Sequence, residues 1–271
     1  MLSYVSILRP SNSIMAGIGA FIGYSIAYGG ITFNSIVVYA ILAAFFVSSA
    51  GMVINDYFDR EVDAKLKPKK PIPSGKIKPN VALFYSLALF FIGNALAYLI
   101  NPTAFAIAIA FSLLLVFYSA VLSKFKYIGN WVIASATAFT FIFGSVAFHF
   151  SNIVLIFAIS ALLTNVAREL GKDFEDLEAD KGFKKSLPMI VPEKAVQFII
   201  ILLTFIAIFL VYVPYFLLNF GNLWFLTLVT AANVVFIYSV ALTLKRNYNT
   251  LASITKTAMG IALIGFLVGI F

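Results

Sequence analysis

Cysteine is absent from the 271 residues, which excludes disulfides, thiolate metal centres and cysteine nucleophiles. Histidine occurs once, as His149, in a segment without charge. It is read as an interface or packing residue, so a catalytic base has to be sought among the carboxylates. Those too are scarce: Asp and Glu together number 11, against 19 Lys and Arg, and charged residues make up only 11% of the chain. No A-x-A-like site follows the first apolar run, so no cleavable signal peptide is expected. The basic residues fall in short segments between apolar runs, and no nucleic-acid-reading module is present, so no nucleic-acid partner is expected.

What fills the chain instead is apolar surface. Hydrophobic residues make up 62%, and the mean hydropathy of +1.01 is far beyond a soluble domain of this size. Four long blocks, residues 10–55, 79–123, 127–167 and 195–244, contain no Asp, Glu, Lys or Arg. Each is about twice the roughly 20 residues that one membrane span needs. Each therefore reads as two spans around an uncharged turn, at Gly29-Gly30, at Asn101-Pro102, between His149 and Asn152, and between Pro214 and Asn222. Residues 250–271 supply one span more. The blocks lack the period-two alternation of a membrane barrel, and lipid leaves no backbone group unpaired, so helices remain. The expected fold is all-α: a multi-pass membrane bundle of nine transmembrane helices in one domain, 1–271. Two four-helix halves, about 1–125 and 126–245, precede the ninth helix. Every Lys and Arg lies at the amino terminus, between span pairs, or at the start of the last span. The positive-inside rule then puts the amino terminus and the charged loops in the cytoplasm and the carboxyl terminus outside. The excess of cations also suits contact with anionic membrane lipids.

The carboxylates are not scattered. Four fall within residues 56–63, six within 169–180, and Glu193 stands apart. Asp56, Asp59 and Asp63 match Asp173, Asp176 and Asp180 at one constant offset, with Glu61 matching Glu178 and Tyr57 matching Phe174. On a helix the spacing i, i+3, i+7 is one face, so each triplet is expected to form an acidic stripe, with Asn55 joining the first. Stacked like charges cost stability unless cations offset them. A hard divalent ion that also holds phosphate fits this donor set: Mg²⁺ binds through one or two carboxylates plus substrate phosphates. Lys and Arg beside both clusters could take the remaining phosphate oxygens. The segment Lys70-Pro71-Ile72-Pro73-Ser74-Gly75 cannot be helical throughout.

With Asn55-Asp56-x-x-Asp59-x-x-x-Asp63 after the second span and Asp176-x-x-x-Asp180 after the sixth, the chain resembles the UbiA superfamily of intramembrane prenyltransferases. Leu8-Arg9-Pro10 with Asn12, and residues 70–75, extend the resemblance over nearly the whole chain. It implies Mg²⁺-dependent transfer of a prenyl group from its diphosphate to a lipid or aromatic acceptor. It implies Asn55 and Asp59 as ligands of one Mg²⁺ and Asp176 and Asp180 as ligands of another, with Asp56 a further candidate ligand. Arg9, Lys67, Lys70, Lys172 and Lys185 are the expected phosphate contacts. Asp63 or Asp173 is the expected proton acceptor.

Within that superfamily, residues 168–180 are similar to the second motif of archaeal digeranylgeranylglyceryl phosphate synthases. That implies a geranylgeranyl donor and the sn-2 hydroxyl of geranylgeranylglyceryl phosphate as acceptor. The alternative is an aromatic acceptor of the 4-hydroxybenzoate type, as in quinone biosynthesis. A divalent-cation transporter is a different class, but it needs ionisable groups near the bilayer midplane, and the blocks hold none. The D-G-x-x-A-R signature of alcohol phosphatidyltransferases is missing.

Overall fold

The computed structural model describes residues 2–271, and among these the regular structure is helical throughout. In chain order the α-helices are α1 (Leu2–Ser6), α2 (Pro10–Tyr28), α3 (Ser35–Phe58), α4 (Arg60–Leu66), α5 (Pro79–Tyr98) and α6 (Pro102–Ala120). There follow α7 (Lys126–Val146), α8 (Asn152–Glu175), α9 (Leu177–Asp180), α10 (Glu193–Leu210), α11 (Val213–Leu217), α12 (Leu223–Leu244) and α13 (Tyr248–Val268). Eight of them are long and apolar enough to cross a bilayer: α3, α5, α6, α7, α8, α10 with α11, α12 and α13. The protein is an integral membrane protein. Helix α2 has 19 residues but falls short in apolarity, because Ser11, Asn12, Ser13 and three glycines dilute it.

The uncharged turns lie where their sequence places them, and their chemistry is consistent. Asn34, Asn101 and Asn222 each cap a helix, accepting from the backbone N–H of Val37, Ala104 and Phe225. Such a cap satisfies donors that the first helical turn leaves free. The same side chains reach across the bundle: Asn101 donates to the Val146 carbonyl at the end of α7, and Asn222 to the Val268 carbonyl at the end of α13. The segment between Pro214 and Asn222 is not a plain turn, since its start is wound into α11. The last helix starts at Tyr248 rather than 250, because Asn247 caps it through the Thr250 N–H.

Close approach, not bulk, joins the first long helix to the middle of the chain. Helix α2 packs along α7. A Cβ on Gly23 would lie 2.0 Å from the Phe141 carbonyl oxygen, and one on Gly144 only 1.9 Å from that of Ala20. Small residues let membrane helices touch backbone to backbone, where lipid offers no hydrophobic drive. Around that crossing α3 packs on α2 and α5, α8 on α7 and α10, and α13 on α12 and α8. The helices enclose one large cavity.

Both acidic motifs sit on the same local device. Helices α3 and α8 are each 24 residues long and each stops just before the middle aspartate. Asp59 (φ −80, ψ 1) and Asp176 (φ −86, ψ 0) then break the helix at nearly the same backbone angles, before the short α4 and α9 resume. The helix that carries each expected acidic stripe is therefore not continuous, since it breaks at the middle aspartate. The middle and third aspartates of each motif line the cavity, the first stands behind them, and in the second motif all three still converge on one lysine.

Candidate active site

Each cluster is built around one lysine. Lys70 Nζ lies 3.0 Å from Asp56 Oδ1 and 2.6 Å from Asp63 Oδ2, and Arg9 reaches the same Asp56 oxygen at 2.7 Å. Arg9 can do so because it stands in the left-handed region (φ 47) directly before Pro10 opens α2. In the second cluster Lys126 Nζ sits 3.1, 3.2 and 2.7 Å from Asp173, Asp176 and Asp180. Asn130 donates a further hydrogen bond to Asp173 at 2.8 Å. Asp56 and Asp173 are 4% and 1% exposed, so their charges have almost no water and depend on these partners.

The middle aspartates behave differently. The Asp176 side chain is 44% exposed, and Asp59 pairs with Lys184 at 3.0 Å, a cation from the segment that follows the second motif. That ion pair spans from one cluster to the other. Asn55 Nδ2 makes a long 3.4 Å contact to Asp59, while the buried Asn55 Oδ1 accepts nothing. A bare amide oxygen beside a carboxylate is a hard-cation donor set. Among the described residues no three carboxylates or histidines converge to hold an ion by themselves.

Asn55, Asp59, Asp63, Asp176 and Asp180 all line the mouth of a cavity of about 570 Å³. Arg9, Lys67, Lys70 and Lys172, expected from sequence, line it as well. Asp56 and Asp173 stand behind its wall, and Lys185 is exposed and outside it, its backbone instead bridging to Lys124 and Lys126. Sequence reasoning missed Lys126 and Lys184, both at the mouth, and Asn130, Arg168, Asn233 and Lys256 further round the wall. Deeper, the lining becomes apolar and aromatic, with Phe111, Phe139, Phe141, Phe236 and Phe266. The arrangement is a charged mouth over a greasy chamber, which suits an amphiphile with a phosphorylated head.

Comparison with known proteins agrees with this geometry. The profile of the UbiA prenyltransferase family matches residues 16–264. The digeranylgeranylglyceryl phosphate synthase of Methanocaldococcus jannaschii is 39% identical over 274 residues, covering 98% of this chain and 95% of that one. A solved digeranylgeranylglyceryl phosphate synthase structure superposes with a TM-score of 0.85 at 37% identity, covering 99% of this chain and 97% of the other. A UbiA homolog from Archaeoglobus fulgidus, solved bound to GPP and Mg²⁺, shares the fold at a TM-score of 0.71 and 19% identity, with 98% of each chain covered. The chain belongs to the UbiA prenyltransferase family.

Proposed function

We propose that the protein moves a geranylgeranyl group from its diphosphate to the sn-2 hydroxyl of geranylgeranylglyceryl phosphate, in archaeal ether-lipid synthesis and with Mg²⁺ as cofactor. The observation that carries this reading is the meeting of both aspartate motifs at one mouth, joined by Lys184 and Asp59. The relatives of that name, similar over the whole chain, favour the glyceryl acceptor over an aromatic one.

Asn55 and Asp59 would hold one Mg²⁺, and Asp176 and Asp180 the other. That no three carboxylates converge fits ions whose remaining ligands come from a diphosphate. When bound, the metal neutralises the diphosphate and stabilises the charge that leaves with it as the allylic C–O bond breaks. Arg9, Lys67, Lys70 and Lys172, with Lys126 and Lys184, are placed to donate to its oxygens. Asp56 aims Arg9 and Lys70, and Asp173 aims Lys126. The phenylalanine-lined chamber holds the prenyl chain, keeps water from the allylic cation, and offers ring faces to its charge. The sn-2 oxygen forms the new C–O bond, and its proton passes to a carboxylate. Asp63, which lines the cavity, is the base we favour over the enclosed Asp173.

The bundle reads as two four-helix halves plus α13, since the two motifs share one backbone device. Helix α2 serves as the ninth span: it packs between α3 and α7 and is long enough to cross. The charged mouth then faces the cytoplasm and the carboxyl terminus lies outside, as the positive-inside rule requires.

The test is transfer of labelled geranylgeranyl from its diphosphate by purified protein, with geranylgeranylglyceryl phosphate and 4-hydroxybenzoate as rival acceptors. Product is expected only with the glyceryl phosphate and only with Mg²⁺. Asp59→Ala and Asp176→Ala should each lose at least a hundredfold in rate. Full activity in either variant would overturn the site, and transfer to 4-hydroxybenzoate alone would overturn the acceptor.

A further inference from the structure

A second group of cations lines the cavity away from the aspartate motifs, and the mechanism above leaves two of its members unused. Lys256 lies inside α13, roughly 12 Å from its first residue at 1.5 Å per residue. It lines the cavity at the head of a stripe that continues through Met259, Leu263 and Phe266, spaced at helical intervals. It makes no ion pair and no side-chain hydrogen bond among the described residues. Lys256 is exposed rather than enclosed, and no carboxylate offsets a charge that is costly within a membrane helix. One turn earlier on the same face, the Ala252 carbonyl accepts from Arg168 Nε at 3.4 Å, so the Arg168 guanidinium lies beside the same seam between α8 and α13. Arg168 and Lys172 share a single carboxylate, Glu169. The wall formed by Arg168, Glu169, Lys172 and Lys256 thus carries two more cations than anions.

An independent feature lies next to it. Asn233 of α12 is 5% exposed, lines the cavity, and its Nδ2 has no acceptor. A buried amide donor without a partner costs on the order of a hydrogen bond. Helices α12 and α13 pack together from a short turn, and counting residues from that turn sets Asn233 level with Met259, about one helical turn from Lys256. The wall therefore offers a free ammonium, a guanidinium shared with Glu169 and a free amide N–H, all donors, where the apolar stripe begins.

We infer that Lys256, Arg168 and Asn233 form a second phosphate subsite, which takes the phosphate monoester of the lipid acceptor while the aspartate motifs take the donor's diphosphate. This rests on the glyceryl phosphate reading of the site. The chemistry separates the two anions. The diphosphate needs metal, and carboxylates crowd the mouth. A monoester needs only cations and donors, and the α8–α13 wall provides these. The apolar stripe below Lys256 then receives the acceptor's own prenyl chain.

The experiment measures KM for donor and acceptor separately in wild type, Lys256→Gln, Lys256→Arg and Asn233→Asp. The acceptors are geranylgeranylglyceryl phosphate and the same lipid without its phosphate. Lys256→Gln should raise KM for the phosphorylated acceptor at least tenfold, leave the donor KM within twofold, and abolish the preference for the phosphorylated acceptor. Lys256→Arg should restore most of it. Asn233→Asp, which sets a carboxylate beside the phosphate, should also raise the acceptor KM. An unchanged acceptor KM in both Lys256→Gln and Asn233→Asp overturns the subsite. So does a parallel rise in donor KM, which would assign these groups to the diphosphate. A wild-type protein that transfers to neither glyceryl lipid overturns the reading on which the subsite rests, and is told apart because no variant is needed to see it.

Discussion

Lys184 and Asp59 are 125 residues apart in sequence and 3.0 Å apart in space, and their pair closes the charged mouth from one motif to the other. Both side chains are largely shielded, at 19% and 13% exposure, so the attraction is less screened than in a surface pair, which is worth about 0–1 kcal/mol. Lys184→Met frees Asp59 and leaves the helices intact. The expected outcome is a folded protein with a donor KM raised about tenfold, because a phosphate donor group is lost. Initial rates at varied donor and Mg²⁺ concentration check this, and an unchanged donor KM would count against a phosphate role for Lys184.

Lys126 is a different case, since three carboxylates depend on it. Asp173 is 1% exposed, and removing the partner of a buried charge costs about 3–5 kcal/mol. Lys126→Met is therefore expected to lower the melting temperature as well as activity. Asp173→Asn in the same chain removes the stranded charge and keeps an oxygen near Asn130. The double variant should recover most of the stability and little of the activity. Thermal unfolding in detergent distinguishes this from a purely catalytic role, in which stability would not move in either variant.

These lysines mark the limit of what sequence gives up. Eight spans were legible because charge is absent over whole blocks, and the turns because Asn, Pro and Gly interrupt them. The motifs were legible because their spacing recurs. The geometry within each motif was not, since the helix breaks at Asp59 and Asp176 without any Pro or Gly to announce it. Lys126 precedes its partner Asp176 by 50 residues and opens an apolar block. There it counts equally well as a charge that sets orientation. Lys256 was read as part of the start of the last span for the same reason. Only packing of α7 and α13 against α8 shows which face each cation takes.

The α2–α7 crossing gives a prediction about stability alone. A Cβ at Gly144 meets the Ala20 backbone, and backbone cannot rotate away as a side chain can. Gly144→Val should push the helices apart and cost several kcal/mol, at or beyond the roughly 1–3 kcal/mol typical of overpacking. Gly260, where an added Cβ meets nothing within 4 Å, is the control: Gly260→Ala should be neutral or slightly stabilising. Comparable melting temperatures for the two variants would mean that the crossing is not tight.

The absence of cysteine makes the orientation testable without background labelling. Ser74 lies in the exposed segment between α4 and α5, on the side of the aspartate motifs, and Asn152 opens α8 at the other end of the bundle. If the charged mouth faces the cytoplasm, a membrane-impermeant maleimide applied to intact cells labels Asn152→Cys and not Ser74→Cys. Inside-out vesicles reverse the pattern. Seven spans separate Ser74 from the carboxyl terminus, so a cysteine appended after Phe271 should label with Asn152→Cys whether or not α2 crosses. The amino terminus decides whether α2 crosses: a cysteine placed ahead of Pro10 follows Ser74→Cys if α2 spans the bilayer and Asn152→Cys if it does not. A polar first helix lying at the interface would shift the amino terminus alone, so tagging that end separately from the mouth resolves which of the two is displaced.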